Sequence, residues 1–315
     1  TLMSQYISSL FFHGSGEGPW STKERVSFLC PVPGYDRHFK LSEEFGISMI
    51  PVALTGEGPD LESVRQLVLN DQSIKGIWCV PKHSNPTGEI YSKKTIEGLL
   101  EISKEAEQSF KILWDNAYAV HDFKESAQLE DIFSLAKGLD ILHAVVAFAS
   151  TSKITYAGSG IGFLALSEPN LDLFLKHYQA LIIGPDKINQ AKHVEFFKKN
   201  GGVLSHMKKH ADILKPKFEL VDRWLSRQNY GSWTKPSGGY FVSFTSQEGL
   251  AKEIINLASS LGLKLTPAGA TFPYGVDPKD NTIRLAPTAC NINELEQAME
   301  IFVCCVVLAV LRRNS

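Results

Sequence analysis

The chain has 315 residues and a formal net charge of −2, with 43% hydrophobic and 21% charged residues. Near-neutral charge offers nothing to attract nucleic acid or an anionic membrane, and the length suits one large domain with a smaller one. Cys30, Cys79, Cys290, Cys304 and Cys305 form no CxxC pair, so they read as reduced thiols of a cytoplasmic protein rather than a disulfide framework or a zinc site.

The chain opens at Thr1 without an initiator methionine, as a fragment or processed chain would. Short apolar runs then alternate with amphipathic stretches. "VSFLC" (26–30), "GISMIPV" (46–52), "IKGIWCV" (74–80), "KILWD" (111–115), "AVVAFA" (144–149) and "IGFLAL" (161–166) read as strands. Several are apolar throughout, the pattern of a sheet buried on both faces. Between them, "DLESVRQLVL" and "SKKTIEGLLEISKEAEQ" have helical periodicity, with caps at Asp60 and Ser92. This alternation predicts an α/β domain, a mostly parallel sheet flanked by helices, over residues 1–205. From Ser205 one long helix with Pro216 links to a smaller α+β unit, giving a second domain over 206–315. That unit holds "GGYFVSF", the helix "EGLAKEIINLASSLG", "LKLTP", "NTIRLAP" and a last helix. The C-terminal "IFVCCVVLAVL" is too short to span a bilayer and reads as a core helix.

Ligands of such sheets bind outside the carboxyl ends of the strands. Four polar clusters fall there: "PGYDRH", "PKHSNPTG", "DNAY" and "STSK". The last contains Lys153, which has no other Asp, Glu, Lys or Arg between Asp140 and Glu168. An amine isolated at the end of a buried strand loses solvation, and its neutral, nucleophilic form becomes accessible. A lysine snorkelling out of a loop would look the same at this level. An imine-forming lysine implies a carbonyl partner, most commonly pyridoxal phosphate.

That cofactor sets demands that the other clusters can meet. Asp115 closes "KILWD", where a carboxylate could hold a protonated pyridine nitrogen; it could equally cap a helix. Tyr118 and Asn85 could donate to the ring oxygen, although "NPTG" also suits a plain turn. Tyr35 could cover the ring, or be an ordinary core tyrosine. "STSK" and "AGSG" offer hydroxyls and amides for a phosphate. Glycines 158, 160 and 162 make GxGxG, not a GxGxxG dinucleotide fingerprint. Arg284, between apolar neighbours in "NTIRLAPT", could grip a substrate α-carboxylate or sit in a structural ion pair.

"SNPTG", "DNAY", "STSK" and "IRLAP", in that order, resemble the class I aminotransferases of fold type I. The longer strings "FLCPVPGYDRHF", "GIWCVPKHSNPTG", "WDNAYAVH", "STSKITYAG", "IGPDKINQ", "PSGGYFVSF" and "AGATFPYGVDP" most resemble the bacterial aspartate aminotransferases of subgroup Ic, over nearly the whole chain. The resemblance implies a homodimeric enzyme that transfers the amino group of L-aspartate to 2-oxoglutarate, giving oxaloacetate and L-glutamate. The same cofactor core also serves other fold-type-I reactions such as β-elimination, and non-catalytic sensor modules that bind it. By resemblance Lys153 forms the internal aldimine and shuttles a proton, Asp115 pairs with the pyridinium nitrogen, and His38 supports Asp115. Asn85 and Tyr118 bond the ring oxygen, Tyr35 stacks on the ring, Ser150 and Ser159 serve the phosphate, and Arg284 clamps the α-carboxylate. Lys187 is the expected partner of the distal carboxylate, where many members use an arginine from the neighbouring subunit.

Two departures accompany the match. Many members carry a phosphate-pairing arginine eight residues after the lysine; here that position is Ile161, and no Lys or Arg occurs from Ile154 to Leu175. The family also has a long segment ahead of the point matching Thr1, with a phosphate loop, part of the small domain and a residue reaching the neighbouring subunit's site. A chain without it is expected to hold the cofactor weakly.

Overall fold

The computed structural model describes residues 1–124, 128–155 and 157–314. After helix α1 (Leu2–His13), the first part runs β1 (Ser27–Val32), α2 (Asp36–Glu44), β2 (Ser48–Ala53), α3 (Leu61–Asn70), β3 (Ile74–Cys79), α4 (Lys93–Glu105), β4 (Lys111–Asp115), α5 (Ile132–Gly138), β5 (Val145–Ser150) and β6 (Gly162–Ala165). These strands form one sheet in the order β2-β1-β3-β4-β5-β6. The first five are parallel and β6 is antiparallel to β5.

Alternate residues of the strands feed two separate layers, which is why the strands are apolar at every position. Leu29, Ile77, Ile112 and Trp114 face α3, α4 and α5 in one core. Their chain neighbours Phe28, Trp78 and Leu113 join residues of α1 and α2 in the other. Asp60 caps α3 by accepting from the amides of Glu62 and Ser63, and the Ser92 hydroxyl accepts from the Thr95 amide at the start of α4.

The chain continues through α6 (Glu168–Leu181), α7 (Lys187–Lys199) and α8 (Gly202–Leu225), then β7 (Gly231–Trp233), β8 (Val242–Ser246), α9 (Ala251–Ser260), β9 (Thr282–Leu285) and α10 (Ile292–Asn314). The last three strands form an antiparallel sheet in the order β7-β8-β9. Phe244 of β8 lies edge-on to Phe302 of α10 in a third core, shared with Phe218, Leu220 and Val221 of α8. The apolar C-terminal run is thus a core helix, with Phe302, Cys305, Val306, Ala309 and Val310 buried. Among the described residues no helix is long and apolar enough to cross a membrane. Residues 263–267, "LKLTP", join no sheet: β9 pairs with β8 alone, and the segment passes outside the ladder.

Candidate active site

The strand order turns at β1, whose two neighbours β2 and β3 lie on opposite sides, and the four polar clusters all follow carboxyl ends of strands in this sheet. Asp115, the last residue of β4, is buried, and its Oδ2 lies 2.9 Å from His38 Nε2. The residues right after it form a turn, and the next helix, α5, is capped by Asp131, so Asp115 caps none. His38, on the first turn of α2, is stacked at 4.2 Å and 9° on Trp78 of β3. Trp78 Nε1 donates to Ser42 Oγ (3.1 Å), and that hydroxyl donates to the His38 carbonyl (2.9 Å). A rigid aromatic wall therefore fixes the imidazole, and the imidazole fixes one oxygen of the carboxylate. Among the described residues the other oxygen, Oδ1, accepts no hydrogen bond.

Lys153 lies beyond the end of β5. Its Nζ is 5.1 Å from the centre of the Tyr118 ring and 5.9 Å from that of Tyr35. Among the described residues this amine has no hydrogen bond or ion pair. Burial pulls its pKa below the ordinary lysine value, against the pull of the Asp115 carboxylate. Burial, reinforced by Asp115, also pushes the phenols of Tyr118 and Tyr35 upward, so both keep their protons as donors. The ring of Tyr35 meets that of His38 at 5.0 Å, edge to face.

Asn85 is buried in the loop after β3, and its Oδ1 accepts from Arg284 Nη1 at 3.2 Å. The same nitrogen lies 3.0 Å from Asp36 Oδ1, while Arg284 Nε donates to Thr266 Oγ1 at 3.3 Å. Asp36, at the amino end of α2, is a site residue that sequence reasoning missed. Its acid suits the helix dipole there, but its partner is 248 residues away.

A buried cluster holds the Asn85 loop in place. Asp122 binds Lys82 Nζ (2.8 Å) through one oxygen and His83 Nε2 (2.8 Å) through the other. The backbone of Gly238 runs against this cluster: an added Cβ would sit 2.3 Å from both the His121 carbonyl and His83 Nε2. Gly238→Ala is therefore expected to destabilise the fold by about 1–3 kcal/mol through overpacking. Urea unfolding of the variant checks this, and an unchanged midpoint would contradict it.

Ser150 and Ser152 place their hydroxyls 2.7 Å apart, and the Ser152 amide donates to Ser150 Oγ. Both line a cleft of about 360 Å³ together with Gly160, Ile161 and Asn189. Gly160 is required here, because a Cβ would meet Ser152 Oγ at 2.2 Å. Ile161 closes the loop through its backbone: its amide donates to Thr151 Oγ1 (2.8 Å) and its carbonyl accepts from the Thr151 amide (2.9 Å). The Ser159 carbonyl accepts from Asn189 Nδ2 of α7 at 2.8 Å.

Tyr35, His38, Asn85, Asp115, Tyr118, Lys153 and Arg284 thus form one contiguous constellation, with Ser150 beside it. Ser159 lies on the flanking loop. Lys187 is apart from them, exposed as the first residue of α7, and has no ion pair among the described residues. The donor set fits pyridoxal phosphate. A free carboxylate oxygen faces the need of a protonated ring nitrogen, neutral phenols can donate to a ring oxygen, and a partly desolvated amine stands between them. Paired hydroxyls at a cleft suit an anion.

A mostly parallel sheet with a strand-end lysine, aspartate and tyrosine in this arrangement defines a fold-type-I pyridoxal-phosphate enzyme. The family model for aspartate amino-transferase matches residues 1–315, and the chain belongs to that family. It is 40% identical to the aspartate aminotransferase of Corynebacterium glutamicum over 315 residues, covering 98% of this chain and 72% of that one. A solved structure of an aspartate transaminase from the same species has a TM-score of 0.95 at 39% identity, covering 100% of this chain and 75% of that one. The alpha-aminoadipate aminotransferase of Thermus thermophilus, solved with N-(5'-phosphopyridoxyl)-L-leucine, has a TM-score of 0.83 at 20% identity, covering 98% and 75%; it shows the shared fold. The chain is an aminotransferase, its cofactor is pyridoxal phosphate, and its substrates are amino and oxo acids.

Proposed function

We propose that the chain transfers the amino group of L-aspartate to 2-oxoglutarate and that Lys153 is the lysine that carries the cofactor. The observation that carries this reading is the partly desolvated Lys153 amine, unpaired among the described residues, between Tyr35 and Tyr118 and in the field of Asp115. The name of the 40% identical relative supports the choice of aspartate. When bound, pyridoxal phosphate supplies an electron sink that makes the substrate Cα proton acidic. Lys153 Nζ, its charged form disfavoured by burial, takes and returns that proton. Asp115 would hold the protonated ring nitrogen through its other carboxylate oxygen, while His38 orients the carboxylate. Tyr118 and the amide hydrogens of Asn85, which have no partner among the described residues, would donate to the ring oxygen, and Tyr35 would cover the ring face. Ser150 and Ser159 would serve the phosphate, and Arg284 would hold the α-carboxylate. A coupled assay with aspartate and 2-oxoglutarate tests the assignment; turnover with other amino donors but none with aspartate would overturn it.

The reading includes a site completed by a second subunit in a cytoplasmic homodimer. Exposed Phe163 on β6 and Ile183, Ile188 and Val194 on and around α7 are apolar surface that such a partner would cover. It also includes a functional division at residue 205, inside α8, so that α8 joins the cofactor sheet to the unit carrying Arg284. Lys187 is assigned to the substrate's distal carboxylate. Its charge opposes the dipole at the amino end of α7, where Asp186 already accepts from the Asn189 amide. Lys187→Ala should lower kcat/KM for aspartate about tenfold while leaving alanine nearly unaffected. Equal losses for both amino acids would remove Lys187 from the site.

A further inference from the structure

We propose that Tyr240 and His121 are positioning residues that hold Lys153 by its backbone carbonyl and tie it to the sheet that carries Arg284. The inference rests on the reading of Lys153 as the cofactor lysine. Tyr240 Oη donates to the Lys153 carbonyl at 2.7 Å, and His121 Nε2 donates to the same oxygen at 3.1 Å. A carbonyl oxygen has two lone pairs, so this one is fully occupied. Because a carbonyl can accept only, His121 carries its proton on Nε2. Among the described residues its buried Nδ1 has no partner, so the Lys153 carbonyl is the ring's one hydrogen-bond partner there, and the rings of Tyr118, Tyr240 and His210 pack around it. Burial drives the His121 pKa down to about 4, which keeps this tautomer neutral at ordinary pH.

The two donors belong to one assembly. The Gly239 amide donates to the His121 carbonyl at 2.9 Å, and the rings of His121 and Tyr240 meet at 5.4 Å. Tyr240 lies just before β8. Phe241 beside it carries the Arg284 guanidinium 5.0 Å above its ring, and Ser243 of β8 pairs with Arg284 of β9. The carboxylate grip and the phenol that holds Lys153 are therefore fixed to the same short ladder. His210 of α8 stacks on Tyr240 at 5.9 Å, and His206, one turn earlier, donates to the Ile154 carbonyl at 2.8 Å. Any shift of this ladder when Arg284 takes a carboxylate is passed to the backbone of Lys153.

The test uses the holoenzyme in three variants: Tyr240→Phe, His121→Leu and His121→Gln, whose amide keeps a donor near the Nε2 position. Tyr240→Phe should keep the melting temperature and hold KM for aspartate within about twofold, but lower kcat about tenfold, the scale of one hydrogen bond. The pH midpoint of the visible absorbance should shift on adding maleate in the parent enzyme, and by less than half as much in Tyr240→Phe. His121→Leu should behave like Tyr240→Phe, and His121→Gln should recover most of the loss. Unchanged kcat and an unchanged maleate shift in both Tyr240→Phe and His121→Leu would overturn the inference, as would a loss confined to KM. If borohydride treatment of the parent enzyme leaves no cofactor on Lys153, the underlying reading fails and the inference with it. An adduct on Lys153 with unaltered variants overturns the inference alone.

Discussion

Lys153→Ala should lose transamination by about 10⁴-fold or more, because in the proposed reading one amine both carries the cofactor and moves the proton. The fold should survive. The side chain makes no hydrogen bond among the described residues and is partly desolvated, so its removal relieves an unfavourable burial of charge. Melting temperature should hold or rise slightly while the coupled assay falls to background. Added amines small enough to enter the space left by the side chain should restore part of the proton transfer. A variant that retained substantial activity would show that another base serves Cα.

Arg284→Lys should lower kcat/KM for every amino-acid substrate by about 30- to 1000-fold, corresponding to about 2–4 kcal/mol of a buried charged contact. The substitution keeps the charge and loses the fork. Arg284 uses Nη1 for both Asp36 and Asn85 and Nε for Thr266, while its plane lies over Phe241. A lysine ammonium cannot meet these partners and a bidentate carboxylate in the same geometry. It would also leave Asp36, on the first turn of α2, close to the incoming carboxylate without the planar fork that can bridge the two. The loss should be shared by aspartate, glutamate and alanine, unlike that of Lys187→Ala. Kinetics indistinguishable from the parent would place Arg284 in a structural ion pair with Asp36 and nothing more.

The parts legible from the sequence share a physical reason. Strands buried on both faces must be apolar at consecutive positions, as Phe28–Leu29 and Ile112–Leu113–Trp114 are, and that signal survives without knowledge of partners. Asp60 and Ser92 are readable because a cap acts on amides two or three residues away. Helices α6 and α7 are not. They bury little beyond Phe174, His177 and His193, so their apolar residues trace no single stripe. "LKLTP" has the composition of a strand but no neighbouring strand to complete its ladder.

The candidate site divides the same way. Residues assigned to the cofactor directly stand at strand ends in short clusters, where chemistry and position coincide. Asp36, His121 and Tyr240 act on partners 248, 32 and 87 residues away, so residue type alone does not mark them. The paired glycines before Tyr240 are the one available signal. Two residues without side chains suggest a close approach of backbones, which Gly238 makes against His83 and the His121 carbonyl. Trp78 reads as strand core, and it is core. Its stacking on His38 is visible only in three dimensions.

Every step of the proposed chemistry turns on Lys153 as the carrier of the cofactor. The decisive experiment is to reduce the holoenzyme with borohydride, digest it and locate the cofactor-bearing peptide by mass spectrometry. A single labelled peptide containing Lys153 is expected, with label absent from Lys153→Ala. Label on Lys82 or Lys187, or on no lysine of a holoenzyme that still absorbs in the visible, would contradict the assignment.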